Sequence, residues 1–199
     1  MKFFIIGLHS SGKHELVHKL EEMGLKYGKL FSNFDYTNDK LYANNEFEQY
    51  SIIDVNEIFE NNAYIFMQER DNEFNISAHK CFEGLSKYSY DNNDVFVLSP
   101  DQFISIPNPS LPTDAIYVWL DNTKHNRINR HKLEKREYIF NAREAIEKRD
   151  MKEFVKILYN AANNNILYFT NEDVNRIASI IYAIHKYPDL LPIFTKNYN

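Results

Sequence analysis

The chain has little of several residue types that mark particular classes of protein. Its 199 residues include one cysteine, one tryptophan, five glycines and six prolines. The single cysteine, Cys81, excludes an internal disulfide and suits a reducing compartment. No apolar run is long enough to span a membrane, and the N-terminus lacks the pattern of a signal peptide. These absences predict a cytoplasmic protein with no membrane partner.

An excess of positive charge is also missing. Lys and Arg number 23 against 28 Asp and Glu, which gives a formal net charge of -5. A duplex-binding protein normally carries a strong basic excess or patch, so this balance argues against a nucleic-acid partner. Hydrophobic residues make up 44% of the chain, which predicts one packed domain over residues 1–199. The abundance of Asn, Lys, Ile, Phe and Tyr indicates an AT-rich genome, either a phage, which would place the protein in a host cytoplasm, or a low-GC bacterium.

Two of the five glycines lie in one eight-residue stretch, Gly7-Leu8-His9-Ser10-Ser11-Gly12-Lys13-His14. An apolar run precedes this stretch and a helical pattern follows it. Glycine is needed where backbone N–H groups curl around phosphate oxygens and a Cβ would clash, and the helix directs its positive end at the same anion. The pattern predicts a strand, a phosphate loop and a helix, with Lys13 reaching the β- and γ-phosphates. The ATP-binding candidates are Gly7, His9, Ser10, Ser11, Gly12, Lys13 and His14.

The last position of the loop departs from the usual pattern. A Ser or Thr hydroxyl ordinarily coordinates Mg²⁺ there, whereas this chain has His14. A neutral imidazole is a poor ligand for a hard cation. The sequence therefore supports phosphate binding more strongly than catalysis, with Ser10 and Ser11 as the nearest alternative hydroxyls for a metal held through water.

Strand and helix patterns alternate along most of the chain. Strands are predicted at 3–6, 29–32, 50–53, 64–69, 94–99, 115–120 and 166–169. Helices are predicted at 13–23, where Gly24 ends the helix, at 55–61, 77–88 and 123–136, with a helical pattern over 137–162 and a last helix from an Asn171 cap to about Lys186. A loop is expected from Asn33 to Asn45. This alternation is typical of an α/β fold with a central parallel sheet and helices on both faces.

Several stretches resemble the P-loop nucleoside monophosphate kinases, guanylate kinase in particular. Besides the phosphate loop, they are the tyrosine-bearing segment 50–60, the turn at 72–77, the strand and acidic residue at 96–102, and the strand and arginine helix at 116–130. The resemblance implies a P-loop NTPase fold that uses ATP and Mg²⁺. It also implies a small acceptor-binding insertion over 33–90 and a lid over 121–150.

The resemblance also implies which residues contact the acceptor nucleotide. They are Ser32, Lys40, Tyr50, Glu69, Phe74 and Asp101, and Asp101 would in addition position Mg²⁺ or its waters. The segment from Asn33 to Asn45 contains no arginine, although the family grips the acceptor phosphate with two. Glu69 is out of register with the family's guanine-reading glutamate. The acceptor base and sugar therefore stay open.

Cations in the lid carry the transfer chemistry that the resemblance implies. Phosphoryl transfer needs positive charge around the equatorial oxygens, where negative charge builds. Arg127 and Arg130 lie three apart on one predicted helix face, with Arg143 as the third candidate beside Lys13. The alternative is an ordinary solvated basic helix paired with Glu134 and Glu137.

The sequence thus supports two functions. The first is ATP-dependent phosphorylation of a nucleoside or deoxynucleoside monophosphate by a monomer or homodimer. The second is a catalytically inactive kinase-fold protein that binds a nucleotide or a protein partner. His14 and the arginine-free segment favour the second, whereas Lys13 and the lid arginines favour the first.

Overall fold

The computed structural model describes residues 1–34, 64–71, 80–105, 112–133, 165–170 and 173–195. Seven strands lie in these ranges: β1 (Lys2–Gly7), β2 (Phe31–Phe34), β3 (Tyr64–Asp71), β4 (Lys80–Ser86), β5 (Val95–Leu98), β6 (Ala115–Asp121) and β7 (Ile166–Thr170). The helices there are α1 (Lys13–Glu22), α2 (Lys87–Asn92), α3 (Pro100–Ser105), α4 (Lys124–Leu133), α5 (Val174–Lys186) and α6 (Leu191–Thr195), with a 3-10 turn at Pro188–Leu190. The predicted strand at 50–53, the helices at 55–61 and 137–162, and most of the loop at 33–45 lie outside the described residues.

Four strands form a parallel sheet in the order β5-β1-β6-β7. Strand β1 is central, and it pairs Phe3 with Val95 of β5 and Gly7 with Leu120 of β6. An isolated parallel bridge from Tyr27 to Val95 continues the sheet beyond β5. The continuous apolar runs of β1 and β6 are buried along almost their whole length, as expected for parallel strands covered on both faces.

Alternate residues of the central strand enter two separate cores. Phe3 and Ile5 pack with apolar residues of α1 and α5 on one face. Phe4 and Ile6 pack on the other face with residues of β5, β6, α2 and α3. The Phe4 ring stacks on Tyr117 with centroids 5.5 Å apart. Helices therefore cover both faces, and the predicted α/β fold with a central parallel sheet is confirmed.

The remaining strands form a second, antiparallel sheet in the order β2-β4-β3. Its middle strand corrects the helix predicted over Ser77–Tyr88, because residues 80–86 pair with strands on both sides. The helix begins only at Lys87, where the Ser86 side chain caps it by accepting from Ser89 N at 3.0 Å. Pairing with β2 and β3 supplies backbone hydrogen bonds to this stretch, and these long-range contacts outweigh a weak local preference for helix.

The helices that flank the parallel sheet start and stop largely as predicted. Helix α1 begins at Lys13, and Gly24 follows its last turn with a φ of 95°. Helix α5 ends at Lys186, and its predicted apolar stripe is buried at Val174, Ile177, Ile181 and Ile184. Its cap differs from the prediction, since Asp173 rather than Asn171 accepts from the N–H groups of Asn175 and Arg176. In the part of the chain described here, no helix is both long and apolar enough to cross a membrane.

Candidate phosphate-binding site

The candidate site lies where the carboxyl ends of the parallel strands meet. Strand β1 ends at Gly7, β5 at Leu98 and β6 at Asp121. Ligands of open α/β sheets bind at this edge, in the crevice between strands whose connections run in opposite directions. The loop of residues 8–12 leaves β1 at this edge and leads directly into α1.

Glycines let the loop fold back on itself. A Cβ on Gly7 would lie 2.5 Å from the Ser11 Oγ and 2.7 Å from the Leu120 carbonyl oxygen. Gly12 has a φ of 97° and Ser10 a φ of 58°. The left-handed region is open to glycine but disfavoured for other residues. The loop therefore has the compact strand–loop–helix geometry of a P-loop, with strain at Ser10.

The amino end of α1 opens at the loop without a side-chain cap. Gly12 is the N-cap residue, and its carbonyl accepts the first helical bond, from Leu16 N at 3.0 Å. The N–H groups of the first turn have no acceptor within a helix, and the helix dipole adds partial positive charge there. Together these features make the end of the loop suitable for an anion.

The ammonium group of Lys13 lies inside the loop. Its Nζ donates to the Gly7 carbonyl at 2.7 Å and to the Leu8 carbonyl at 2.9 Å. Both acceptors belong to the start of the loop, so the side chain crosses from α1 back to the end of β1. Lys13 is thereby held against the first turn of the loop.

Two serine hydroxyls of the loop are buried. The Oγ atoms of Ser10 and Ser11 have no hydrogen-bond partner among the described residues, and Ser11 is only 5% exposed. A buried hydroxyl left without a partner costs about 1–3 kcal/mol. A ligand rich in acceptor oxygens, such as the phosphates of a nucleotide, fits these donors.

Helix α4 packs its predicted catalytic arginine Arg127 against the loop. Arg127 is only 4% exposed, and its Nη1 donates to the His9 carbonyl at 3.5 Å. Just before the helix, Asn122 Nδ2 donates to the Ser11 carbonyl at 3.4 Å. This burial excludes a fully solvated basic helix and places Arg127 on the loop backbone.

Arg130 lies at the other end of the loop. Its Nη1 is 2.5 Å from Glu15 Oε2 in the first turn of α1. A Cβ on Gly12 would lie 3.1 Å from the same Nη1 and 3.4 Å from Cζ. The guanidinium therefore covers Gly12, and Glu15 fixes it there. Sequence reasoning missed Glu15, because its partner Arg130 is 115 positions away in the sequence.

The other predicted site residues lie elsewhere or outside the described part. His14 is exposed in the first turn of α1. Ser32 in β2 pairs with Glu83 of β4, and Glu69 in β3 pairs with Phe82 of the same strand. The backbones of Ser32 and Glu69 therefore lie on either side of β4, one residue apart in register. Asp101 is the second residue of α3. Lys40, Tyr50, Phe74 and Arg143 lie outside the described residues.

A capping box explains part of the sequence after β5. Ser99 N donates to Gln102 Oε1 at 2.8 Å, and Gln102 N lies 3.4 Å from Ser99 Oγ. The pattern Ser-x-x-Gln, with proline at the first helical position, is a sequence-level signature of a helix start. Gln102 is thus engaged in capping α3, which the resemblance to a kinase strand did not predict.

Ligands for a protein-bound metal are sparse in the described ranges. No group of three or more His, Cys, Asp or Glu side chains is placed there to hold a metal ion. At the end of β6, Asp121 Oδ2 instead accepts from the Tyr168 hydroxyl at 2.5 Å.

The chain was compared with known proteins by sequence and by structure. No protein-family model matches the sequence, and no curated protein matches it. Among solved structures, the chain is similar to the guanylate kinase of Anaplasma phagocytophilum, with a TM-score of 0.44, 13% identity, and coverage of 94% of this chain and 85% of that chain. It is also similar to the shikimate kinase of Acinetobacter baumannii in complex with shikimate, with a TM-score of 0.39, 10% identity, and coverage of 95% and 94%.

Proposed function

We propose that the protein binds ATP at the loop and transfers its γ-phosphoryl group to a nucleoside or deoxynucleoside monophosphate. One observation carries the proposal: Lys13 and Arg130 place two cations on a loop whose buried Ser10 and Ser11 hydroxyls have no partner among the described residues. Phosphate oxygens would satisfy these hydroxyls and the N–H groups at the start of α1.

The same cations suit the transfer step. An oxygen of the acceptor phosphate attacks the γ-phosphorus while the bond to the bridging oxygen breaks, and ADP leaves. Negative charge spreads over the equatorial oxygens in this step, so fixed cations lower its barrier. Lys13 and Arg130 would supply them directly. Arg127, buried against the His9 carbonyl, would act by keeping the loop in shape.

The second sheet supports an acceptor site on one face of the parallel sheet. Leu30, which directly precedes β2, and Leu85 of β4 share a core with Phe4 and Phe96. This packing fixes the antiparallel sheet to the parallel one, and its β2 and β3 carry the acceptor candidates Ser32 and Glu69. We infer that Mg²⁺ enters with ATP, and Asp101 remains its candidate protein ligand.

A second function is favoured by His14. An exposed imidazole stands where a metal-binding hydroxyl is usual, and imidazole is a poor Mg²⁺ ligand. A protein that binds the nucleotide and transfers nothing has no need for that hydroxyl. The two functions differ only in turnover, so a rate measurement separates them.

Two measurements test the proposal: calorimetric titration with ATP and Mg²⁺, and a coupled ADP-release assay with ATP, Mg²⁺ and each common ribonucleoside and deoxyribonucleoside monophosphate. ADP release that depends on one acceptor class, and that is lost in Lys13→Ala, supports the kinase. ATP binding with no acceptor-dependent release supports the binding protein. Absence of ATP binding contradicts the kinase and the nucleotide-binding protein, and leaves the kinase-fold module that binds a protein partner.

The variant His14→Ser sharpens this test. If the protein is a kinase, a hard oxygen ligand at position 14 should raise kcat or lower the Mg²⁺ concentration required, by about tenfold if one charge-assisted contact is gained. If the protein only binds, ADP release stays at background in both forms. A robust wild-type rate that collapses in His14→Ser would show that the imidazole itself contacts phosphate.

A further inference from the structure

One long-range ion pair joins the phosphate loop's helix to α4. Arg130 Nη1 and Glu15 Oε2 are 2.5 Å apart, although the residues are 115 positions apart in sequence. The two side chains are 31% and 52% exposed. A pair this exposed contributes little to the stability of the fold. Its effect is therefore more relevant to the position of the two side chains than to the free energy of unfolding.

The location of the pair distinguishes it from an ordinary surface contact. The guanidinium of Arg130 lies over Gly12, within 3.4 Å of the Cβ position at both Cζ and Nη2. Gly12 is the N-cap of α1, next to Lys13. A guanidinium has five N–H donors in one plane, and the bond to Glu15 uses only part of them. Glu15 thus fixes the plane of a cation that can also contact an anion on the loop.

The helix dipole favours a carboxylate in the first turn of α1, but a bound phosphate would repel it. Glu15 puts a negative charge one helical turn or less from a loop proposed to bind phosphates, and like charges repel. The acid therefore opposes anion binding through its charge while it supports binding through the geometry of Arg130. A change that separates these two effects reveals which one matters.

We propose that Glu15 is a positioning residue that holds the Arg130 guanidinium over Gly12, where it contacts a phosphate of the bound nucleotide. This inference rests on the proposed nucleotide binding. Glu15 itself touches no substrate; it acts through Arg130. The resemblance to the kinases implied only that Arg130 is a cation of the lid and gave it no partner.

Two substitutions at Glu15 distinguish position from charge. Glu15→Asp keeps the negative charge but shortens the side chain by one methylene, so the carboxylate can no longer hold Arg130 in its present place over Gly12. Glu15→Gln removes the charge but keeps the length and an acceptor oxygen for Nη1. On the same helix, Glu22 pairs with Lys19 at 2.8 Å, and Glu22→Asp is a matched control away from the loop.

The experiment is calorimetric titration of each variant with ATP and Mg²⁺, with a melting curve for each protein. Glu15→Asp and Arg130→Lys should each weaken binding by about tenfold, the effect of losing one well-placed charge-assisted bond. Glu15→Gln should stay within about twofold of wild type, as expected if charge is secondary at an exposed site. Glu22→Asp should have no effect, and Glu15→Asp combined with Arg130→Lys should bind no more weakly than Arg130→Lys alone.

The remaining outcomes overturn the inference. If Glu15→Asp binds as tightly as wild type, Glu15 does not act through position. If only Glu15→Gln changes affinity, Glu15 acts through its charge. If the two losses add in the double variant, Glu15 does not act through Arg130. Should Glu15→Asp fail to fold, Glu15→Ala must show the same loss. If wild type and Lys13→Ala bind ATP equally, or neither binds it, the proposed function fails and this inference fails with it.

Discussion

Replacing Gly12 by alanine should destabilise the protein and weaken ATP binding through two separable effects. Gly12 has a φ of 97°, and its missing side chain leaves room for Arg130. Gly24 offers a matched control, because its φ is 95° and no described atom lies within 4 Å of its Cβ position. Gly24→Ala therefore carries the backbone cost alone, whereas Gly12→Ala adds the displacement of a guanidinium.

The size of the backbone cost follows from the dihedral angles. An L-residue in the left-handed region costs about 1–2 kcal/mol. The lower entropy of the unfolded alanine chain offsets about 0.4–1 kcal/mol of this. Both variants should thus lose up to about 1.6 kcal/mol of unfolding free energy, or up to about 6 °C in Tm for a chain of this size. The Nη1 at 3.1 Å ends a flexible side chain that moves cheaply, so Gly12→Ala should be only slightly less stable than Gly24→Ala.

Affinity should separate the two variants. Denaturant unfolding gives their stabilities, and calorimetric titration with ATP and Mg²⁺ gives their affinities. Gly24→Ala should bind ATP as wild type does, because it lies at the far end of α1. Gly12→Ala should bind about tenfold more weakly, the loss expected when one charge-assisted contact is displaced.

Either of two results would refute this reasoning. If Gly12→Ala kept wild-type affinity, Arg130 and the bare Gly12 Cα would have no part in phosphate binding. If Gly24→Ala were destabilised and Gly12→Ala were not, the left-handed geometry of the loop would be wrong.

Further predictions concern strain in the loop and protonation at the opposite end of the sheet. Ser10→Gly should raise the unfolding free energy by about 0.5–1 kcal/mol, because Ser10 has a φ of 58° and glycine relieves that strain at some entropic cost; denaturant unfolding that shows a loss would contradict it. Burial lowers the pKa of His185, and a nearby Asp94 opposes the shift. The unfolded chain therefore takes up the proton first, so stability should fall as the pH drops below about 6.5. His185→Gln should flatten this dependence in denaturant unfolding at pH 5 and pH 7, and an unchanged slope would show that other groups cause it.

The sequence predicted the parts of the fold that local patterns determine. The strands β1, β5 and β6 are short apolar runs, and burial on both faces requires that composition. The apolar spacing of α5 identified its buried stripe because one face of that helix covers the sheet. The two glycines of the loop likewise stand where the backbone needs them, since a Cβ on Gly7 would clash with Ser11 and Leu120 and Gly12 has a φ of 97°.

Features that depend on partners distant in sequence were missed. Strand β4 is a strand because β2 and β3 pair with it, and nothing within residues 80–86 requires that. The burial of Arg127 and the pairing of Arg130 with Glu15 depend on how α4 crosses the loop, which no local pattern encodes. The Ser99–Gln102 capping box was different: its signature was present in the sequence and was taken for part of a functional motif.

Calorimetric titration with ATP and Mg²⁺ of wild type, Lys13→Ala and Lys19→Ala tests the central claim most directly. Lys13 donates to the loop carbonyls of Gly7 and Leu8, whereas Lys19 lies on the same helix in a surface pair with Glu22. Wild type and Lys19→Ala should bind ATP with equal affinity, and Lys13→Ala should remain folded and lose binding by about a hundredfold, as expected for a charged partner of the phosphates. Equal binding by Lys13→Ala and wild type would contradict the account, because the loop would then be a structural turn and not a phosphate site.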